Sequence, residues 1–225
     1  MVKNSRKSSV LRRKKKIILL TAYPLLLITL LIGCAKREIT NIDSSGKNII
    51  CFGDSVTYGY GAAPGEDYPT VLAGMIDIPV INAGIDGDTS IQAMKRLEPD
   101  VLDRDPLLVI IEFGGNDFLR KIPRETTIEN ITEMVERIQK KGAMVVVADI
   151  SAGIFLTEYH SDLLKIAKDN ETIFVPSILK GIITNPNMKS DFFHPNADGY
   201  KMIAHRVYRE IRPYLNENIL LRTNK

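Results

Sequence analysis

The sequence predicts an α/β domain in which helices cover both faces of a parallel sheet, and two observations carry that expectation. From Lys47 onward, short β-branched runs alternate with amphipathic stretches, the pattern in which helical crossovers join neighbouring parallel strands. The runs are apolar almost throughout, as strands are when both faces of their sheet are buried. The predicted strands are Asn48–Phe52, Pro79–Asn82, Leu107–Phe113, Met144–Asp149 and Thr172–Val175. Between them, Tyr68–Ile76 and Thr89–Leu97 read as helices. So does Ile128–Lys141, where Ile128, Ile131, Val135 and Ile138 recur at helical spacing behind a capping box at Thr126 and Glu129. Ser161–Lys168 and a long Asn196–Leu215, with Ile203, Val207 and Ile211 on one face, complete the set.

Ahead of this domain the composition changes abruptly. Residues 1–16 hold eight Lys and Arg and no acid, leaving 22 basic against 27 acidic residues in the rest of the chain, a net −5. The basic excess belongs to one end and not to a binding face, so no nucleic-acid partner is expected. Ile17–Ile32 is an apolar run of sixteen residues, short of the roughly 20 that span a bilayer. Basic block, short apolar run and small residue at its end make a secretory signal. Leu31-Ile32-Gly33-Cys34 resembles the bacterial lipoprotein box, in which the cysteine is acylated and becomes the first mature residue. The expected division is a signal peptide over 1–33, a tether over 34–46 carrying lipidated Cys34, and a domain over 47–225. It implies an exported protein held to a membrane by its N-terminal lipid and facing the periplasm or cell exterior. The alternative is an uncleaved signal anchor with Cys34 as a bystander. Cys51, the only other cysteine, sits in an apolar run and reads as a small buried hydrophobe.

In an open parallel sheet, function gathers at the carboxyl ends of the strands, and the unusual residues lie there. The first end reads Phe52-Gly53-Asp54-Ser55-Val56, placing a hydroxyl where a strand turns into a helix. The second, Asn82-Ala83-Gly84-Ile85-Asp86-Gly87-Asp88, offers the Gly84 N–H at a position open to close approach. The third, Glu112-Phe113-Gly114-Gly115-Asn116-Asp117, aims an uncharged amide across the sheet edge. The fourth, Asp191-Phe192-Phe193-His194-Pro195-Asn196, puts a carboxylate three residues from an imidazole, just before a helix start. Each block alone also describes an ordinary turn. Together they supply a nucleophile, a base, an orienting carboxylate and donors for a tetrahedral oxyanion. The base must be neutral to accept a proton, so hydrolysis should weaken toward acid pH.

On Gly53-Asp54-Ser55, Gly84, Gly115-Asn116 and Asp191-x-x-His194-Pro195, the chain resembles the SGNH/GDSL hydrolases from about Asn48 to Leu215. The resemblance implies a flavodoxin-like three-layer α/β/α sandwich with a five-stranded parallel sheet in the order 2-1-3-4-5. It implies a catalytic Ser55, Asp191 and His194, an oxyanion hole from Ser55, Gly84 and Asn116, and neither metal nor organic cofactor. Its substrates would be small acyl esters, thioesters or lysophospholipids, and a monomer is expected. A carbohydrate O-acetylesterase would use the same parts, and a non-catalytic lipid- or glycan-binding lipoprotein would use the scaffold alone. Two positions depart from the family pattern: Val56 stands where Leu is usual, and Ser151–His160 borders the acyl site with its own sequence. The loop Gly84–Ser90 reads either as a flap over an acyl groove or as a static helix entry capped by Asp88 or Thr89. His160 and His205 read as surface or packing residues, and Asp54 and Asp117 as holding their own turns.

Overall fold

The structure, a computed structural model, describes residues 38–152 and 156–224. The signal-like segment and Cys34 lie outside the described residues. Five strands form one sheet: β1 (Asn48–Gly53), β2 (Val80–Gly84), β3 (Pro106–Glu112), β4 (Met144–Ala148) and β5 (Ile173–Val175). They are parallel and ordered β2-β1-β3-β4-β5. Every residue of β3, at the centre, is buried. The helices are α1 (Ser55–Tyr58), α2 (Tyr68–Ala73), α3 (Ser90–Asp100), α4 (Gly115–Leu119), α5 (Arg124–Lys140), α6 (Thr157–Asp169) and α7 (Ala197–Thr223).

Successive strand residues feed opposite cores because side chains alternate across a pleated strand. Ile49, Cys51, Leu108 and Ile110 pack with Leu72 of α2 and with Tyr200, Ile203, Val207 and Ile211 of α7. Ile50, Phe52, Val109 and Ile111 pack with Leu97 of α3, Ile131, Val135 and Ile138 of α5, and Leu163 of α6. Two apolar layers flanking one sheet explain why the strands carry no polar alternation.

The expected elements are present, with three corrections. The capping box is not at Thr126 and Glu129. Helix α5 starts earlier, after Pro123, whose φ of −53° already suits a helix entry, and Thr127 Oγ1 donates to Asp117 instead. A capping box does form two helices upstream, between Thr89 and Gln92 at the start of α3. The described part of the expected tether, Glu38–Gly46, is docked and not free: Ile39 is buried, the Thr40 N–H donates to the Glu171 carbonyl, and Asn41 Nδ2 donates to the carbonyls of Gln139 and Ala143. The compact unit therefore begins at Glu38.

Candidate active site

The carboxyl end of β1 sets the first side chain. Asp54 caps the single-turn helix α1, its Oδ1 accepting the Val56 N–H at 3.0 Å, and the sharp turn leaves Ser55 at the rim of the sheet. From the far end of the chain, the loop before α7 brings in its partners. His194 Nε2 lies 3.0 Å from Ser55 Oγ, and His194 Nδ1 lies 2.8 Å from Asp191 Oδ2. Asp191 Oδ1 also accepts the N–H groups of Phe193 and His194 at 2.8 Å. Slight burial raises the Asp191 carboxyl, but the bonds from the His194 ring and these two N–H groups outweigh it and hold the group below its ordinary value. The loop is pinned by an antiparallel bridge between Lys189 and Pro195 and by the Ser190 N–H bonded to the His194 carbonyl. The Tyr60 ring packs on the imidazole at 4.4 Å between centroids.

The third block arrives from β3. Gly114 adopts φ 123°, a conformation that favours glycine, and turns the chain so that Asn116 Nδ2 donates to Asp54 Oδ2 at 3.1 Å. Gly84 packs against the turn after Ser55: a Cβ there would lie 2.2 Å from the Tyr58 nitrogen. Its N–H, however, donates to Asn82 Oδ1 at 2.9 Å. Of the residues expected to act together, Ser55, His194, Asp191 and Asn116 thus meet at one rim. Gly84 abuts it with its donor engaged elsewhere.

Beside Ser55 opens a cavity of about 240 Å³. Most of its wall is hydrocarbon, from Val56, Phe118, Leu119, Ile150, Ala152, Leu156, Leu179, Ile183, Phe192 and Phe193, and Ser55, Asn116 and His194 line it together with the carboxyls of Asp54, Asp86 and Glu112. Among the described residues no group of three or more His, Cys, Asp or Glu side chains is disposed to hold a metal ion. No helix among them is long and apolar enough to cross a membrane.

Behind Ser55 the structure holds an acid pair. Glu112, at the end of β3, is 1% exposed, accepting from Thr57 Oγ1 at 2.8 Å and from the Asp54 N–H at 3.4 Å. Burial, then the charge of Asp54, push its carboxyl well above the usual range, and burial lifts Asp54 to about 6 against bonds from Val56, Glu112 and Asn116. Both carboxyls of the pair therefore hold their protons more tightly than free carboxyls do, and Asp54 Oδ2 is the oxygen that faces Asn116. Thr57 passes the network on to the Tyr68 hydroxyl at 3.2 Å. Cys51 lies below, its thiol pushed up to about 12 by burial; it is protonated and inert, as a buried packing residue should be.

Sequence reasoning missed a second cluster. Asp149, wholly buried at the end of β4, accepts the N–H groups of Ser151 and Ser177 at 2.8 Å each, the Ser151 hydroxyl at 2.8 Å, and faces His160 Nδ1 at 2.7 Å. His160 is not a plain surface residue, because this carboxylate fixes its ring. The clasp joins the two loops that supply Ile150, Ala152, Leu179 and Ile183 to the cavity. Asp117 likewise reaches beyond its own turn, accepting from the Ser90 N–H and hydroxyl and from Thr127 Oγ1, so it ties α3 and α5 to α4. The Gly84–Ser90 loop is tied at several points: Thr89 caps α3, the Gly87 carbonyl accepts from Arg120, and Arg96 pairs with Asp88 while donating to the carbonyls of Ala83 and Gly53.

The sequence profile of the GDSL-like lipase/acylhydrolase family matches residues 51–202. The chain belongs to that family. It is 31% identical over 183 residues to the arylesterase of Vibrio mimicus, an alignment covering 76% of this chain and 91% of the relative. It is 26% identical over 183 residues to thioesterase 1/protease 1/lysophospholipase L1 of Escherichia coli strain K12, covering 78% and 88%. The crystal structure of TesA superposes with a TM-score of 0.68 at 26% identity, covering 74% of this chain and 99% of that one. The protein is accordingly a serine hydrolase acting on ester bonds, built on the fold that the four motifs imply.

Proposed function

We propose that this GDSL hydrolase cleaves small acyl esters or thioesters of medium chain length through an acyl-enzyme on Ser55. The carrying observation is the unbroken line Ser55 Oγ–His194 Nε2, His194 Nδ1–Asp191 at 3.0 and 2.8 Å. Ser55 Oγ attacks the acyl carbon as its proton passes to His194 Nε2, and Asp191 holds the imidazole in the tautomer that can accept it. The oxyanion that forms is met by the Ser55 N–H at the start of α1 and by Asn116 Nδ2, whose second hydrogen is free to leave the Asp54 bond unbroken. Gly84 joins as a third donor when its N–H exchanges Asn82 for the oxyanion. His194 then gives its proton to the leaving alkoxide or thiolate, the bond to the leaving group breaks, and water activated by His194 releases the acid.

The apolar cavity favours this reading over a sugar O-acetylesterase, whose acetyl group would leave most of the hydrocarbon wall unfilled. A cavity of about 240 Å³ with mostly apolar walls has room for an acyl chain well beyond acetyl. The names of the relatives agree in class, as an arylesterase and a thioesterase/lysophospholipase. We assign residues 1–33 to a secretory signal, Cys34 to lipidation, and the mature protein to the outer side of the membrane that holds it. The test uses p-nitrophenyl acetate, octanoate and palmitate, with fluorophosphonate labelling of wild type and Ser55→Ala. Octanoate should be preferred, and Ser55→Ala should lose both label and nearly all hydrolysis. Full activity in that variant refutes the mechanism, and a strict acetate preference refutes the substrate class.

A further inference from the structure

Helix α7 outlasts the domain it packs against. Ile203, Val207, Ile211, Leu215 and Asn218 form its buried face, but from Ile219 onward every described residue is exposed. That last turn is apolar: Ile219, Leu220 and Leu221 are 49%, 62% and 37% exposed. Three consecutive residues point in directions about 100° apart on a helix, so no single neighbouring face within the domain could cover all three. Arg209, which pairs with Glu210, and exposed Arg212 lie at helical spacing ahead of this turn, and Arg222 follows it, leaving an excess of cations around it. Glu217 is the acid nearest in sequence.

The position of this turn gives it meaning. Asn218 Nδ2 donates to the carbonyls of Ile42 and Ser44 at 2.8 and 2.9 Å, and Arg222 donates to the Gly46 carbonyl. The same docked segment bonds Glu171 and Ala143, the residues just ahead of β5 and β4. The end of α7 and the start of the compact unit therefore share the amino-terminal edge of the sheet. Ser55 sits beyond its carboxyl edge, the six residues of β1 away, about 17 Å along the strand. Only four peptide steps separate Cys34 from Glu38, at most about 15 Å of chain.

We propose that the end of α7, Ile219–Leu221 with its flanking arginines, rests in the headgroup layer of the anionic membrane to which Cys34 is anchored. The catalytic mouth then points away from that membrane. An apolar turn flanked by cations is the composition of an interfacial helix end, and arginines near an anionic leaflet are drawn to it. A lipid at Cys34 supplies one hold and this turn the second. Substrate then reaches Ser55 from the aqueous side and not from the bilayer beneath. The apolar residues at the mouth, among them Phe192 and Phe193, serve the acyl chain rather than the membrane. The proposal rests on the reading that Cys34 carries lipid.

The test uses the full-length protein purified from membranes and reconstituted in phosphatidylcholine–phosphatidylglycerol vesicles containing a nitroxide-bearing lipid. Fluorophores are placed on Leu220→Cys and, separately, on Phe192→Cys; Cys51 is fully buried and does not compete. The label at 220 should lose most of its emission to the lipid quencher while the label at 192 keeps its own. Quenching at 192 alone, at both positions or at neither overturns the proposal. So does a disulfide forming between two copies of Leu220→Cys, which would make a second chain the occupant. Hydrolysis of a soluble octanoate ester by Leu220→Cys should match wild type, showing that the variant is folded. The anchor is read separately: Cys34→Ala that still pellets with membranes refutes the lipid, whatever the quenching pattern.

Discussion

Replacing Asp54 by Asn should make the protein more stable and a far poorer enzyme. Burial lifts the Asp54 carboxyl from 3.8 to about 6. Between those values the folded protein holds a proton that the unfolded chain has released, so stability falls as pH rises through that window and stays lower above it. At 1.36 kcal/mol per tenfold, the penalty above the folded value is about 3 kcal/mol. Asparagine is as good a helix N-cap as aspartate, so its oxygen can keep the 3.0 Å bond from the Val56 N–H. What is lost is the acceptor for Asn116 Nδ2, worth about 1–1.5 kcal/mol. The net gain is roughly 1–2 kcal/mol, which for a chain of this size raises the midpoint of thermal unfolding by roughly 2–8 °C. Calorimetry should show that gain at about pH 8 and see it shrink toward pH 4, where the folded state keeps the Asp54 proton and the unfolded chain begins to take up its own. Turnover of the octanoate ester should fall by about 10²–10³, because an amide that no longer meets a carboxylate leaves one oxyanion donor misaimed. A variant that melts below wild type near pH 8, or that keeps turnover within about tenfold, refutes the account of the acid pair.

Two other substitutions probe the remaining supports. Asn116→Ala removes the donor itself and should lower kcat by about 10²–10³ with little change in KM, because the bond strengthens only as the oxyanion forms; an equal rise in KM at constant kcat would place Asn116 in ground-state binding instead. Asp149→Ala leaves the N–H groups of Ser151 and Ser177 without their acceptor, and at about 1–3 kcal/mol per orphaned donor the unfolding free energy should drop by about 2–6 kcal/mol. Urea denaturation measures it, and a loss under about 1 kcal/mol would mean that water replaces the clasp.

Local chemistry made much of this legible. The central strands read most plainly, β3 through Leu107–Ile111 and β4 through Val145–Val147, because burial on both faces demands unbroken apolar runs. Ser55 and Asn116 read from their position at strand ends, because a parallel sheet delivers those ends to one rim. Asp191 and His194 are expected at a strand end too, but they lie well past β5 (Ile173–Val175), in the loop that enters α7. The capping box at Thr126 misled because a cap needs a helix boundary, and Pro123 had already set one. The single-turn helix α4 escaped notice, since five residues are too few to show a period.

Distance along the chain hid the rest. Glu112 and Thr57 are 55 residues apart, and Asp149 and Ser177 are 28 apart. Nothing in either neighbourhood announces that the carboxyls are buried. Arg96, too, reads as one more helix charge until β1, β2 and the Asp88 turn close around it. Composition and spacing determined which groups this protein has for hydrolysis and the sheet that carries them. The packed chain alone decided which carboxyls are buried together and whether the Gly84 N–H points at Asn82. Ionisation and donor direction depend on desolvation and angle, quantities that exist only once distant segments have met.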